Sequence, residues 1–175
     1  KNLLSNILYE AKSYNNFEDI EKLVEKGMDL SNIPLQPLYV SLLQAPSEQL
    51  ANILPKLSTD QRQAILDLDL WNRDTVDVFN FEYWLEVYSK CKDDSIVKEF
   101  VENDDFLLYL KSRVNIHTFD AEDPEYPDHD NYFLTDDSLL LFEYADDYQY
   151  GNELRYFLRH YYDSKGVESA YTSLF

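Results

Sequence analysis

Cysteine is almost missing from this chain. A single thiol, Cys91, excludes an internal disulfide framework and points to a reducing compartment, the cytoplasm. Glycine is nearly as scarce: Gly27, Gly151 and Gly166 are the only three, too few and too scattered for a phosphate-cradling loop, and nucleophile-elbow and kinase patterns are equally missing. No apolar run approaches the ~20 residues of a membrane span, and no basic start followed by an apolar stretch marks a signal peptide. Basic residues are short as well, 15 Lys and Arg against 34 Asp and Glu, for a net charge of -19. That balance argues against a surface that neutralises nucleic-acid phosphates or an anionic membrane. The deficit is local. From Val114 to Leu154 there is no Lys or Arg at all, while twelve acids fall in the same stretch.

What the chain has is aromatic and helical. Fifteen Tyr and ten Phe are far too many for a disordered acidic tail. Leu3, Leu4, Ile7, Leu8 and Ala11 recur at helical spacing, and Phe17, Ile20, Leu23 and Val24 follow as a second amphipathic helix, capped by Asn16 with Asp19 and closed by Gly27. Pro34 suits the first turn of a third, with Leu35, Leu38, Leu42 and Leu43, ended by Ala45-Pro46. Two short units come next, Ser47 to Leu54 and Thr59 to Leu66, with matching positions twelve residues apart and Ser58 and Gln61 in a capping-box pattern. Neither buries its apolar face alone, so stacked short helices are expected. Asn72-Arg73-Asp74 reads as a turn; Asp74 or Asp77 then caps a longer helix with a core stripe of Phe81, Trp84, Tyr88 and Cys91. Asp93-Asp94-Ser95 and Asn103-Asp104 start two more helices.

The period then changes. Val114, Ile116 and Thr118 alternate with Asn115, His117 and Phe119 as in a strand, and Tyr132 to Leu134 and Leu139 to Tyr144 pair across Thr135-Asp136-Asp137-Ser138. An acidic loop from Asp120 to Asp130 joins the first two strands. Helical spacing resumes with Tyr150, Leu154, Phe157, Leu158 and Tyr161, is broken at Gly166, and ends in a helix from Val167 to Phe175. The expected fold class is mainly α: a superhelix-like stack of short helices with a small β-hairpin or sheet inserted at about 113–144. The expected organisation is one domain over 1–175, with helical repeats in 1–112 and C-terminal helices in 145–175. A start without Met and an apolar end at Leu174-Phe175 lead to the expectation of a piece of a longer protein.

The run Leu54-Pro55, Thr59-Asp60-Gln61-Arg62, Ile65 to Trp71, Asp74, Asp77 and Trp84-Leu85, with Leu134-Thr135-Asp136-Asp137 further on, resembles a family of uncharacterised bacterial proteins with no assigned activity. That resemblance implies no catalytic residue. The repeated short helices are also similar to the cytoplasmic superhelical N domain of MgtE-type magnesium transporters. The β insertion and the lack of a transmembrane part depart from that domain, so magnesium transport is not implied.

Among chemical features the acidic loop stands first. Asp120, Glu122, Asp123, Asp128 and Asp130 are the candidates for a hard cation such as calcium or magnesium, although the EF-hand's turn glycine and closing Glu are absent, and a solvated loop is the expectation. His117, His129 and His160 lack zinc spacing, Cys91 reads as a buried inert thiol, and Asp67 and Asp69 face different ways on a helix. Tyr144, Tyr148 and Tyr150, with Asp146 and Asp147, form a candidate interaction face, because tyrosine is enriched where proteins meet. The expectation is a cytoplasmic, non-catalytic protein-interaction or regulatory module without a cofactor, binding a protein with a basic surface and neither nucleic acid nor membrane. An acidic mimic of nucleic acid seated in a basic protein groove is the alternative, and a metal-dependent hydrolase using the loop acids a third.

Overall fold

The computed structural model describes residues 17–43, 45–72, 75–119 and 125–175, with the side chains of Asn72, Thr75, Val76 and Val167 left out. The helix expected over Leu3 to Ala11, the Asn16 and Asp74 caps and the head of the acidic loop lie outside those residues. The fold is mainly α with a small three-stranded antiparallel sheet. The chain divides into two units: one runs as far as Thr75 and includes Lys90–Lys92, the other comprises Val76–Ser89 and Asp93–Phe175. No helix among the described residues is long and apolar enough to cross a membrane.

In the first unit, α1 (Phe17–Glu25) buries Phe17, Ile20 and Leu23. Gly27 closes it: at φ +72 its N–H reaches the Val24 carbonyl (2.9 Å), and the Met28 N–H reaches the Leu23 carbonyl (3.0 Å). These are the two bonds of a Schellman ending. Helix α2 (Leu35–Leu42) follows Pro34 and packs on α1 and on α4 (Thr59–Leu70); α3 (Ser47–Ile53) lies between them in sequence.

The capping box opens α4 as expected: the Gln61 N–H donates to Ser58 Oγ (3.1 Å) and the Ser58 N–H to Gln61 Oε1 (2.9 Å). Gln61 and Arg62 also reach backwards. Gln61 Nε2 donates to the Leu30 and Ile33 carbonyls (2.8 and 3.3 Å), and Arg62 Nη1 to those of Leu54 and Leu57 (3.1 and 2.6 Å). Carbonyls at short-helix ends run short of donors: these two buried side chains serve those of Ile33 and Leu57 and add a second bond to those of Leu30 and Leu54, which already accept from the Ile33 and Leu57 N–H groups. The Thr-Asp-Gln-Arg signature is therefore architectural. Asp67 accepts from Gln63 on the same helix, and Asp69 accepts from the Tyr39 hydroxyl at 2.8 Å. Burial, and then that carboxylate, push the Tyr39 hydroxyl up to about 12.

The expected turn after Trp71 is flanked by strands: β1 (Trp71–Asn72) and β2 (Thr75–Val76) make a two-stranded ribbon. Two residues a side carry no readable alternation, which is why the sequence shows only the turn.

In the second unit Asp77 caps α5 (Val78–Ser89), accepting from the Asn80 N–H at 3.1 Å. The expected stripe is corrected at its end. Phe81, Trp84 and Tyr88 are buried on α5, but the helix stops at Ser89, so Cys91 is buried from the following link, in the first unit. Asp93 caps α6 (Asp94–Val101) and Asn103 caps α7 (Asp104–Arg113). These helices pack with α8 (Gly151–Leu174) around stacked rings: Phe81 on Tyr109 (4.7 Å between centroids), Tyr88 on Phe100 (4.2 Å), and Phe157 edge-on to Phe100 (5.2 Å). Aromatic pairs in these geometries add about 1 kcal/mol each beyond area burial. Gly166 breaks α8 as expected, at φ 73 and ψ 167, a region open to glycine.

The sheet runs β3-β5-β4, with β3 (Asn115–Thr118) and β4 (Tyr132–Leu134) both antiparallel to the central β5 (Leu140–Glu143). Its β4–β5 turn is held by Asp137, whose Oδ1 accepts from Thr135 Oγ1 (2.6 Å) and the Leu139 N–H (3.1 Å), while Oδ2 accepts from the Tyr162 hydroxyl. Partial burial opposes ionisation, but these bonds prevail and hold the Asp137 carboxyl below its usual range.

Candidate functional site

The sequence places its acids and tyrosines around the end of β5, and the structure shows what they engage. Asp120, Glu122 and Asp123 lie outside the described residues. Asp128 and Asp130 are exposed, and the Asp130 carbonyl accepts from Arg155 Nη2 at 2.8 Å. Among the described residues no three His, Cys, Asp or Glu side chains come together to hold a metal ion.

Two histidines that sequence spacing keeps apart meet at one carboxylate. His117 Nε2 lies 3.3 Å from Glu143 Oε1 and His129 Nε2 lies 2.9 Å from Glu143 Oε2. The register explains half of this, because Glu143 is the partner of Asn115, two residues before His117 on β3. His129 Nδ1 accepts from the Asn131 N–H at 3.0 Å, so its proton sits on Nε2 and points at Glu143. A metal-ligating histidine also donates one ring N–H to a carboxylate but keeps the other nitrogen's lone pair for the metal; here the Asn131 N–H occupies that lone pair. His129 is thus a hydrogen-bond donor here, and the two rings hold Glu143 below the usual carboxylate range against the opposing effect of burial. His160 stands apart on α8, edge-on to Tyr156.

The candidate face divides by depth. Tyr144 is buried, with its ring about 3.1 Å from where a Gly151 Cβ would lie and its hydroxyl accepting from Arg155 Nε at 3.1 Å. Tyr144 is therefore a prop beneath the face. Asp146 and Asp147 are exposed, Asp146 accepting from Asn131 Nδ2, and Tyr148 and Tyr150 are half-buried.

From Tyr148 a directional chain runs inward. Its hydroxyl is 2.5 Å from that of Tyr109, which donates to Glu82 Oε1 (3.1 Å), so Tyr148 donates to Tyr109. Arg113 Nε meets the same Glu82 oxygen at 3.2 Å. Burial first raises both tyrosine hydroxyls above their ordinary value; Tyr148 and then Glu82 add to this at Tyr109, and Glu82 adds to it at Tyr148 against the lowering bond to Tyr109, so both stay neutral donors.

Around this chain opens a cleft of about 520 Å³ lined by Phe79, Glu82, Ser112, Arg113, Asp147, Tyr148, Gln149 and Tyr150. A second hollow of about 330 Å³, with His129, Glu143 and Asp146, shares Arg113 and Ala145 with it. Phe79 is 77% exposed, and the Arg113 guanidinium sits 5.8 Å over its ring. The Tyr150 hydroxyl is raised by burial and then by Glu82, Glu86 and Glu153, which marks the cleft mouth as negative. Chemically the cleft offers aromatic walls and excess negative charge. Its inner carboxylate, Glu82, is already engaged by a tyrosine and an arginine. Sequence reasoning missed Phe79, Glu82, Tyr109 and Arg113 as parts of this face. Two signals were available: Phe79 is out of phase with the buried stripe, and Arg113 is the last base before the stretch that has none.

The model of a family of unknown function, DUF6178, matches residues 18–171. No curated protein and no solved structure matches the chain. The resemblance to an uncharacterised family is borne out at that level, while no likeness to the MgtE-type domain is found.

Proposed function

The chain belongs to the DUF6178 family of unknown function, and from that premise we propose a non-catalytic, cytoplasmic protein-interaction module that takes a basic segment of a partner protein on its Tyr148–Tyr150 face. The carrying observation is the open cleft in which exposed Phe79 and half-buried Tyr148 and Tyr150 stand beside Asp147 and a negative mouth, within a chain that has no base from Val114 to Leu154. A Lys or Arg side chain gains there from ring faces and carboxylates together. Arg113 already lies over Phe79 and on Glu82, so the partner's base is left the tyrosine rings and Asp147. The short helices α3 and α4, twelve residues apart, suit a superhelix-like stack within the first unit, as the repeat pattern suggests.

Titration with a short Lys- and Arg-rich peptide tests the reading. Binding is expected to weaken steadily with salt, and to weaken at least tenfold in Phe79→Ala/Tyr150→Ala. Affinity indifferent to both, or a demonstrated turnover, overturns it. An acidic mimic of nucleic acid draws on the same exposed Asp128, Asp130, Asp146 and Asp147. Such a mimic competes with duplex DNA for a DNA-binding protein's groove, whereas a segment-binding module does not. A metal-dependent hydrolase draws less support, since Glu82 and Glu143 are tied to tyrosine, arginine and histidine.

A further inference from the structure

The hydrogen-bond phase of the small sheet leaves the outer edge of β3 without partners among the described residues. Residues 140 and 144 of the central strand region bond toward β4, shown by Thr135 N–H to the Leu140 carbonyl (3.0 Å) and Tyr144 N–H to the Asn131 carbonyl (3.0 Å). Residue 139 bonds toward β3, shown by Phe119 N–H to the Leu139 carbonyl (3.1 Å). Antiparallel ladders alternate with a period of two. Asn115, His117 and Phe119 therefore turn their backbone groups to β5, and Ile116 and Thr118 turn theirs outward. Among the described residues nothing bonds to those outward groups.

Proteins usually blunt such an edge with lysine, proline or a bulge. Here Asn-Ile-His-Thr has none of these, and Asn115, His117 and Thr118 are exposed. Beside the strand's end lies a hollow of about 420 Å³ lined by Thr118, Phe119, Leu139, Leu140 and Tyr171, with Glu168. Tyr171 is 52% exposed. Thr118 lines that hollow, so a strand laid along β3 would send the side chain opposite Thr118 to the same side.

We infer that the β3 edge takes an extended segment of a partner protein by strand addition, with an apolar side chain in the Tyr171 hollow and Lys or Arg flanking it. The unfilled N–H and C=O groups of Ile116 and Thr118 require an extended backbone. The flanking basic residues follow from the carboxylates about the edge: Glu168, which lines the hollow, and Glu143, which binds His117 within the Val114–Leu154 stretch that has no Lys or Arg. A second copy of the chain is disfavoured as occupant by the net charge of -19 on each.

The probe is a synthetic peptide of alternating Val and Lys. Its addition is expected to slow amide exchange at Ile116 and Thr118 at least tenfold. Thr118→Pro is expected to weaken binding at least tenfold with the fold retained, because that N–H lies outside the internal ladder. Tyr171→Glu, which leaves the backbone donors in place, is expected to weaken it as well. Binding that leaves both amides unprotected and is unchanged by Thr118→Pro and Tyr171→Glu overturns the inference. If such binding is instead lost in Phe79→Ala/Tyr150→Ala, the cleft reading survives and this one fails. No binding, or protection that rises with protein concentration without peptide, also overturns it.

Discussion

Polar side chains are buried in both units, and they are spent differently. In the first, Gln61 and Arg62 turn inward onto the carbonyls of Leu30, Ile33, Leu54 and Leu57, so their hydrogen bonds close the ends of short helical turns. In the second, Tyr109 and Glu82 lie beside the ring cluster, and their chain leads outward through Tyr148 and Arg113 into an open cleft. One unit uses buried polarity to finish its backbone, and the other carries it to a surface. On the proposed reading, the first set of residues serves the structure and the second serves recognition.

Three substitutions sharpen that comparison. The largest loss is expected at the ring cluster: Phe100→Ala removes contacts with Phe81, Tyr88, Phe106 and Phe157, and costs about 4 kcal/mol by urea unfolding. Arg62→Ala removes the side-chain donor to the buried Leu57 carbonyl and one of the two donors to the Leu54 carbonyl, and costs about 2 kcal/mol. It leaves the affinity for a basic peptide unchanged. If Arg62→Ala abolished peptide binding in a protein that is still folded, the division of labour would be wrong.

Tyr148→Phe removes one hydrogen bond at the cleft wall and costs about 1 kcal/mol near neutral pH. Its clearer signature is alkaline. Because Tyr109 and Tyr148 have raised folded-state values, their contribution is complete below about pH 10, where unfolded tyrosine titrates, and is lost as pH rises beyond it. Stability against pH should therefore fall above about pH 10 in the parent protein and fall less in Tyr148→Phe.

Much of this fold is legible in the sequence where the signal is local. The Ser58–Gln61 capping box, the Asp93 and Asn103 caps, the alternation through β3 and the break at Gly166 each depend on neighbours within a few residues. The site is less legible because its contacts are distant. Glu82 meets Tyr109 across 27 positions, and Tyr109 meets Tyr148 across 39. Glu143 meets His117 only through strand register. A tyrosine-rich acidic segment signals a face, yet nothing in its spacing tells buried Tyr144 from half-buried Tyr148. That distinction comes from Gly151, whose missing side chain lets the Tyr144 ring sit down on α8.

The most direct measurement is residue-resolved chemical-shift mapping as a Lys- and Arg-rich peptide is titrated in at low and high salt. Perturbations should concentrate on Phe79, Arg113 and Asp147 to Tyr150 and fade as salt rises. Perturbations centred on Gln61 and Arg62, or insensitive to salt, would contradict the assignment of recognition to the second unit's cleft.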